Sequence, residues 1–292
     1  SVSGSQFGLY TVSGTTYTER MRVDTTALHA LSDVKIGAIG SGMSLLKSGV
    51  AGVAGTEGLF IEPNATTATK INVTFTRAVL VDTTSASRKF FRLEGAGTAY
   101  DTTLTYTVDT TANSAVNRLD AGTRAGDTWY YIWLISDGAT LHGTLASTSK
   151  SAPTMPTGYT YKNLVSSFRT QSGSPFDIIN YQQRSGEITY INPHVDCEVS
   201  TAALSTSYAA ISLATRVPPI AQEATLFSYS SSPPAQTDFR ATGNTPAIGQ
   251  VLLGAESYRN FRCPTNSAQS VDVKAGSGTP PHTLRVVGFL LR

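Results

Sequence analysis

The chain has 292 residues and a formal charge of +2, and Asp, Glu, Lys and Arg together make up only 14% of it, against roughly 25% in an average soluble domain. Ser and Thr supply about a quarter of the residues. Thr favours strands through its branched Cβ and Ser favours turns, so the composition is that of an all-β protein. The basic residues are scattered, as in Arg77, Arg88, Lys89 and Arg92, and form no concentrated face of the kind a nucleic-acid binder carries.

No segment approaches the ~18 consecutive apolar residues of a membrane-spanning helix. Residues 1–30 show neither the charged start nor the apolar centre of a secretory signal, and Ser1 is small enough to follow a removed initiator Met. Synthesis and assembly in a reducing cytoplasm are the expectation. Cys197 and Cys263 are the two cysteines, too few for a secreted disulfide framework and expected to remain thiols.

In chain order, residues 1–58 come first. Phe7 to Tyr10 and Tyr17 to Val23 read as strands, followed by a Gly-rich stretch from Gly37 to Gly58. Gly at that density disfavours both an isolated helix and a central strand. The apolar residues between Ile36 and Phe60 need cover that such a backbone does not supply alone, so 1–58 is assigned to assembly or anchoring.

From about Leu59 the strand signal becomes regular. Ile71, Val73 and Phe75 alternate with Asn72, Thr74 and Thr76, the period of a strand with one wet face. The alternation slips near Arg77-Ala78, where a bulge or bend is expected. Strands follow at Arg88–Leu93 and Thr103–Val108. The run Trp129 to Ile135 (WYYIWLI) is apolar on both faces and reads as a central, buried strand. Leu141–Ala146, Lys162–Arg169, Asp177–Gln182 and Glu187–Ile191 complete a domain over 59–193.

Asn192 to Leu204 forms the expected boundary. A second domain over 198–292 contains short strands at Tyr208–Ala214, Ala224–Ser230, Thr237–Thr242, Ile248–Leu253, Tyr258–Cys263, Ser270–Lys274 and Thr283–Leu291. Pro218-Pro219, Pro233-Pro234 and Pro280-Pro281 punctuate them. The fold expected is all-β, with two β-sandwich or jelly-roll-like domains behind an irregular N-terminal segment.

Chemistry is sparse. His29, His142, His194 and His282 form no metal-ligand spacing, and HExxH and CxxC patterns do not occur. There is no G-x-S-x-G element. Gly37 to Gly42 lacks the Lys and the strand-to-helix setting of a phosphate loop. Glycoside hydrolysis needs only two carboxylates, and Glu187 and Glu198, in or beside strands, are the first suspects. The other acids, Asp82, Asp101, Asp109, Asp120, Asp127 and Asp137, fit turns. No catalytic, cofactor or metal residue is assigned. Trp129 and Trp133 read as core, interleaved with Ile132 and Leu134. Tyr159 and Tyr161, after a Pro/Gly turn, are the better candidates for contact with a sugar.

One stretch carries a resemblance. Asp127-Thr128-Trp129-Tyr130, then Ser151-Ala152-Pro153-Thr154-Met155-Pro156-Thr157-Gly158-Tyr159, then Phe168-Arg169-Thr170 and Tyr181-Gln182-Gln183, resemble modules of tailed-bacteriophage tail fibres, head fibres and related virion proteins. Val217-Pro218-Pro219-Ile220-Ala221 before a strand is similar to their distal sandwiches. The resemblance spans roughly the last three-quarters of the chain and is strongest from Ala125 to Ile191. It implies a β-rich module, commonly a homotrimer, displayed on or built into the virion, and the sparse chemistry adds the expectation that it does not catalyse. Its partners would be its own copies, neighbouring virion proteins and a host surface glycan or protein. A carbohydrate-binding adhesin or lectin is the alternative, and a polysaccharide-degrading tailspike stands behind it.

Overall fold

β-branched and aromatic residues fill the segments that become strands, and Gly, Pro, Asn and Asp sit between them. The computed structural model of the protein describes residues 7–13, 16–23, 28–30, 55–82, 89–94, 102–192, 197–200, 204–230, 237–244, 249–251, 258–276 and 281–291. The chain is all-β: no α-helix occurs among the described residues. It divides into two units, Ser1–Leu45 and Leu46–Arg292.

In the first unit, β1 (Phe7–Ser13), β2 (Thr16–Val23) and β3 (Leu28–Ala30) pair in that order as an antiparallel sheet. The two strands expected here are present. Residues 31–54, which hold most of the Gly-rich stretch assigned to assembly, lie outside the described residues.

The second unit opens with β4 (Thr56–Glu57), β5 (Phe60–Asn64), β6 (Thr67–Phe75), β7 (Arg77–Asp82), β8 (Lys89–Glu94) and β9 (Leu104–Asn113). Ile71, Val73 and Phe75 of β6 are fully buried, and Asn72 and Thr74 between them are half-exposed. On that wetter face the Thr74 and Thr105 hydroxyls meet across the strands at 3.0 Å. The expected slip near Arg77 is a corner at Thr76. There the Thr76 N–H and hydroxyl both donate to the Glu57 carbonyl, at 2.9 and 3.0 Å. Beyond the corner, Ala78 and Leu80 of β7 join the same core cluster as β6. Because β4 pairs with β7, residues 55–58 belong to the main body and not to the N-terminal segment.

Next come β10 (Arg118–Leu119), β11 (Trp129–Ser136), β12 (His142–Ser147), β13 (Tyr161–Arg169), β14 (Tyr181–Arg184) and β15 (Glu187–Tyr190). β11 lies between β12 and β13 and is buried from Tyr130 to Ser136. Tyr130, Ile132 and Leu134 enter the main core. Tyr131, Trp133 and Ile135 face the other way and cluster with Leu145. Val116, Met155, Tyr159, Leu164 and Ile220 pack over that second cluster. Cover on both faces explains why WYYIWLI shows no polar alternation.

The last strands are β16 (Glu198–Ser200), β17 (Ala209–Ser212), β18 (Ala221–Ser230), β19 (Thr237–Ala241), β20 (Gly249–Val251), β21 (Tyr258–Pro264), β22 (Ser270–Ala275) and β23 (His282–Leu291). β17–β22–β19–β20 form a separate antiparallel sheet. The large sheet runs β21–β18–β23–β15–β14–β5–β6–β9–β10–β12–β11–β13–β7–β4, with β16 also on β23 and β8 also on β7. β10 pairs in parallel with both neighbours, and the other pairings in this sheet are antiparallel.

The sheet therefore continues across the boundary expected at 193–198. Glu187, Ile188 and Thr189 of β15 pair with Leu290, Phe289 and Gly288 of β23, and the Leu291 N–H donates to the Gly186 carbonyl at 2.8 Å. The physical reason is β23 itself. Leu284, Val286, Phe289 and Leu291 are buried along it, and it bonds to β18 on one side and to β15 and β16 on the other. Gly288 lets the strands approach, since a Cβ there would lie 2.2 Å from the Ile188 carbonyl oxygen.

Candidate functional site

The residues that carry chemistry serve the fold at most positions. The Asp137 carboxylate accepts from the Ala139 and Leu141 N–H groups at 2.8 and 3.0 Å, and these backbone bonds hold its pKa below the usual carboxylate value. Glu187 pairs with Arg262 at 2.5 Å and Glu198 with Arg285 at 3.2 Å. Their backbones sit opposite Leu290 and Arg285 of β23, roughly 16 Å apart at the rise of a strand. Each carboxylate is held by its own arginine, and the two are not brought together as an acid–base pair.

His142 Nδ1 and the Ser136 hydroxyl lie 3.0 Å apart, and the His142 ring stacks on Phe91 with centroids at 5.4 Å. His282 is buried, with Nε2 at 2.8 Å from the Ser228 hydroxyl and Nδ1 without a partner. Burial pushes its pKa down to about 4. The side chains of His29 and His194 lie outside the described residues. Among the described residues, no three of His, Cys, Asp and Glu gather where they could hold a metal ion. Cys197 and Cys263 are both buried thiols, and burial pushes Cys263 up to about 11.

Tyr159 and Tyr161 are half-buried and do not form a shared platform. Tyr159 packs over the second cluster on β11. Burial first, and then the Asp137 carboxylate, raise its pKa. Tyr161 opens β13 with its ring 5.7 Å from that of Phe91. Gly138, at φ +85°, leaves room for that ring: a Cβ there would fall 2.4 Å from Tyr161 Cε2. The Pro/Gly turn thus folds inward, because the outer face of β11 offers apolar surface to cover.

An open concavity lies elsewhere. It is a cleft of about 750 Å³ between Leu164–Ser166 of β13, the start of β18 and the loop 264–269, with Lys150 and Ser151 at its edge. The loop is rigidly built. Asn266 Oδ1 accepts from the Ala268 and Ser270 N–H groups at 3.1 and 2.9 Å, and Gln269 Oε1 accepts from the Thr265 hydroxyl at 3.0 Å. The Thr265 N–H donates to the Gln222 carbonyl at 3.1 Å, tying the loop to β18. Lys150 and Glu223 supply charge, and Gln222, Asn266 and Ser267 supply neutral polar groups. The volume falls in the range of small-ligand sites, and Leu164, Val165, Pro219, Ile220 and Leu291 line it beside these polar groups. The Val217-Pro218-Pro219-Ile220-Ala221 stretch flanks this cleft. Its other walls come from loops far apart in sequence, which no local pattern announces.

Of the residues that single out Ala125–Ile191, those at 127–130 and 168–170 meet at one joint. The Thr128 N–H donates to the Thr170 hydroxyl at 3.1 Å, which donates to the Ala125 carbonyl at 2.7 Å. Asp127 pairs with Arg169 at 2.9 Å. Tyr130 stacks on Phe168 with centroids at 5.3 Å, and its hydroxyl accepts from the Ala125 N–H. Gln183 Nε2 donates to the Val165 and Ser185 carbonyls. No family model matches the chain, and no curated protein matches it.

Proposed function

We propose that this chain is a structural protein of a tailed-bacteriophage virion, a tail fibre or other surface appendage, without catalysis of its own. The observation that carries the reading is the joint around Asp127, Thr128, Tyr130, Phe168, Arg169 and Thr170. These are among the residues by which the segment resembles phage appendage modules, and each has a structural task. A signature made of scaffold residues points to a shared building block rather than to a shared reaction.

In this reading the large sheet folds over its core in sandwich fashion, because β6 and β7, distant in sheet order, bury residues in one cluster. Three copies, the number that the resemblance implies, assemble through the segment before residue 55, to which the Gly-rich sequence gives that role, and the later strands are displayed outward. Electron microscopy of purified particles with an antibody raised against residues 204–291 tests the assignment. Label at a defined site on the particle is the expected result. A chain absent from purified particles would overturn it.

The polar groups in the mixed lining of the cleft favour a second element, contact with a host surface glycan. Glu223→Gln combined with Lys150→Ala should abolish binding on a glycan array while leaving the fold intact. Release of oligosaccharides from host polysaccharide would instead favour the tailspike alternative.

A further inference from the structure

A second hollow, of about 450 Å³, opens beside the turn that joins β5 to β6. Its lining shares no residue with the cleft at β13 and β18. One wall is the turn itself, residues 63–68, where the β5–β6 register shifts between Pro63 and Asn64. Asn64 holds that turn. Its Oδ1 accepts from the Thr66 N–H and hydroxyl at 3.1 and 2.8 Å, and its Nδ2 donates to Asn72 Oδ1 at 3.3 Å. The other wall is the stretch 177–180, whose backbone is tied on both sides. The Ile178 N–H donates to the Ala68 carbonyl at 3.1 Å and the Ile179 N–H to the Arg169 carbonyl at 3.0 Å, while the Asp177 carbonyl accepts from the Gln171 N–H at 2.8 Å. Ile178 and Ile179 belong to the main core, and the residues flanking them, Asp177 and Asn180, line the hollow. The Ile191 N–H donates to the Asn180 carbonyl at 3.0 Å, which brings Asn192 into the same lining.

The backbone of these walls is bonded, but key side chains are not. Those of Asp177, Asn180 and Asn192 make no hydrogen bond or ion pair among the described residues. A carboxylate only accepts, whereas a carboxamide both donates and accepts. Together they match a partner with donors and acceptors side by side, as neighbouring hydroxyls are. An anion would meet the Asp177 charge, and the described lining holds no Lys, Arg or His to offset it. A metal ion needs its oxygens about 2.3–2.6 Å from one centre, and among the described residues no three of His, Cys, Asp and Glu gather for one. A volume of about 450 Å³ instead lies within the roughly 300–1,000 Å³ of small-molecule pockets. No aromatic ring is in the described lining, so contact is by hydrogen bonds without stacking, which keeps the affinity in the millimolar range.

We propose that the hollow between the β5–β6 turn and residues 177–180 binds an uncharged saccharide. Asp177 accepts from its hydroxyls, and Asn180 and Asn192 both donate to them and accept from them. The site is separate from the cleft at β13 and β18, and the proposal depends neither on the virion reading nor on glycan contact at that cleft.

Titration of the 15N-labelled full chain with the methyl glycosides of glucose, galactose and N-acetylglucosamine, in EDTA, tests the site by NMR. The side-chain carboxamide signals of Asn180 and Asn192 should move together with at least one of these sugars and saturate at tens of millimolar. Asp177→Asn should weaken that binding by about tenfold or more, the size of one hydrogen bond to a charged group. The fold should survive the change, because only the backbone of Asp177 is bonded within the chain. Asn180→Ala should weaken binding as well, read at the Asn192 signal. Carboxamide signals that stay still with all three sugars would overturn the proposal, as would an affinity equal in wild type and Asp177→Asn. Movement confined to Gln222 and Asn266 would also overturn it, placing the sugar in the cleft and leaving the reading of that cleft intact.

Discussion

The strands from 129 to 169 and the small sheet after residue 204 both bury their residues, but with different materials. In the first region β11 is covered on both faces by aliphatic and aromatic side chains, and the buried polar groups within the strands are neutral ones such as Ser136, Thr144 and Asn163, apart from Arg169 at the end of β13. In the small sheet, charges sit within the strands: Asp238 and Asp272 are only 5% and 7% exposed. They pair with Lys274 and Arg240 at 3.3 and 3.1 Å, and both cations lie over the Tyr208 ring. Packing of the first kind depends little on salt or pH, whereas paired charges depend on both. The difference teaches that the two regions, in separate sheets, should answer differently to solution conditions, although the pairing of β15 with β23 carries the large sheet into the last part of the chain.

The sharpest way to break that arrangement is Gly288→Ala. A methyl group there meets the Ile188 carbonyl, a backbone atom that cannot rotate away, so the β15–β23 pairing must open. A loss of at least ~4 kcal/mol is expected, read as a lower urea midpoint. An unchanged midpoint would show that the close approach is absent.

Next in size is Leu134→Ala in the fully buried centre of β11. It should cost about 3 kcal/mol, within the range for cavity-forming substitutions, and the loss should be the same at low and high salt.

The region after residue 204 is more sensitive to acid. His282 is buried with its pKa pushed down to about 4, against about 6.5 in an unfolded chain. Above pH 6.5 both states are neutral there and stability is full. As the pH falls, the unfolded state takes up the proton first, so stability is lost between about pH 6.5 and 4. The loss amounts to roughly 3 kcal/mol. His282→Gln should remove that slope from a series of urea midpoints measured across this window.

Much of this architecture was legible in the sequence because it is local. Alternation at Ile71, Val73 and Phe75 marks a wet-faced strand, and its loss in WYYIWLI marks a strand covered twice. The corner at Thr76 lies within a residue or two of the expected slip. The pairing of β15 with β23 was not legible, since it joins residues about a hundred positions apart and depends on complementary shape rather than on period. β4, β10 and β16 are two or three residues long, too short to show any alternation. For the candidate site, the turn before Tyr159 reads as polar and exposed, yet it covers an apolar face that only the fold reveals.

Two smaller effects sharpen the comparison. Asp272→Asn takes the charge from a largely buried pair with Arg240 and should cost about 2 kcal/mol, and the loss should shrink only slightly as salt is added. Reducing agent should leave the thermal midpoint unchanged, because Cys197 and Cys263 are thiols.

The central structural claim is that residues 55–192 and 197–291 unfold as one body held through β23. Both tryptophans of the chain, Trp129 and Trp133, lie in the first of these stretches and His282 in the second. Urea unfolding followed by tryptophan fluorescence and by the His282 ring-proton signal reads the two stretches separately in one sample. The account predicts coincident transitions in the wild-type protein and a joint shift to lower urea in Gly288→Ala. Separated transitions in the wild type, or a tryptophan transition indifferent to Gly288→Ala, would contradict it.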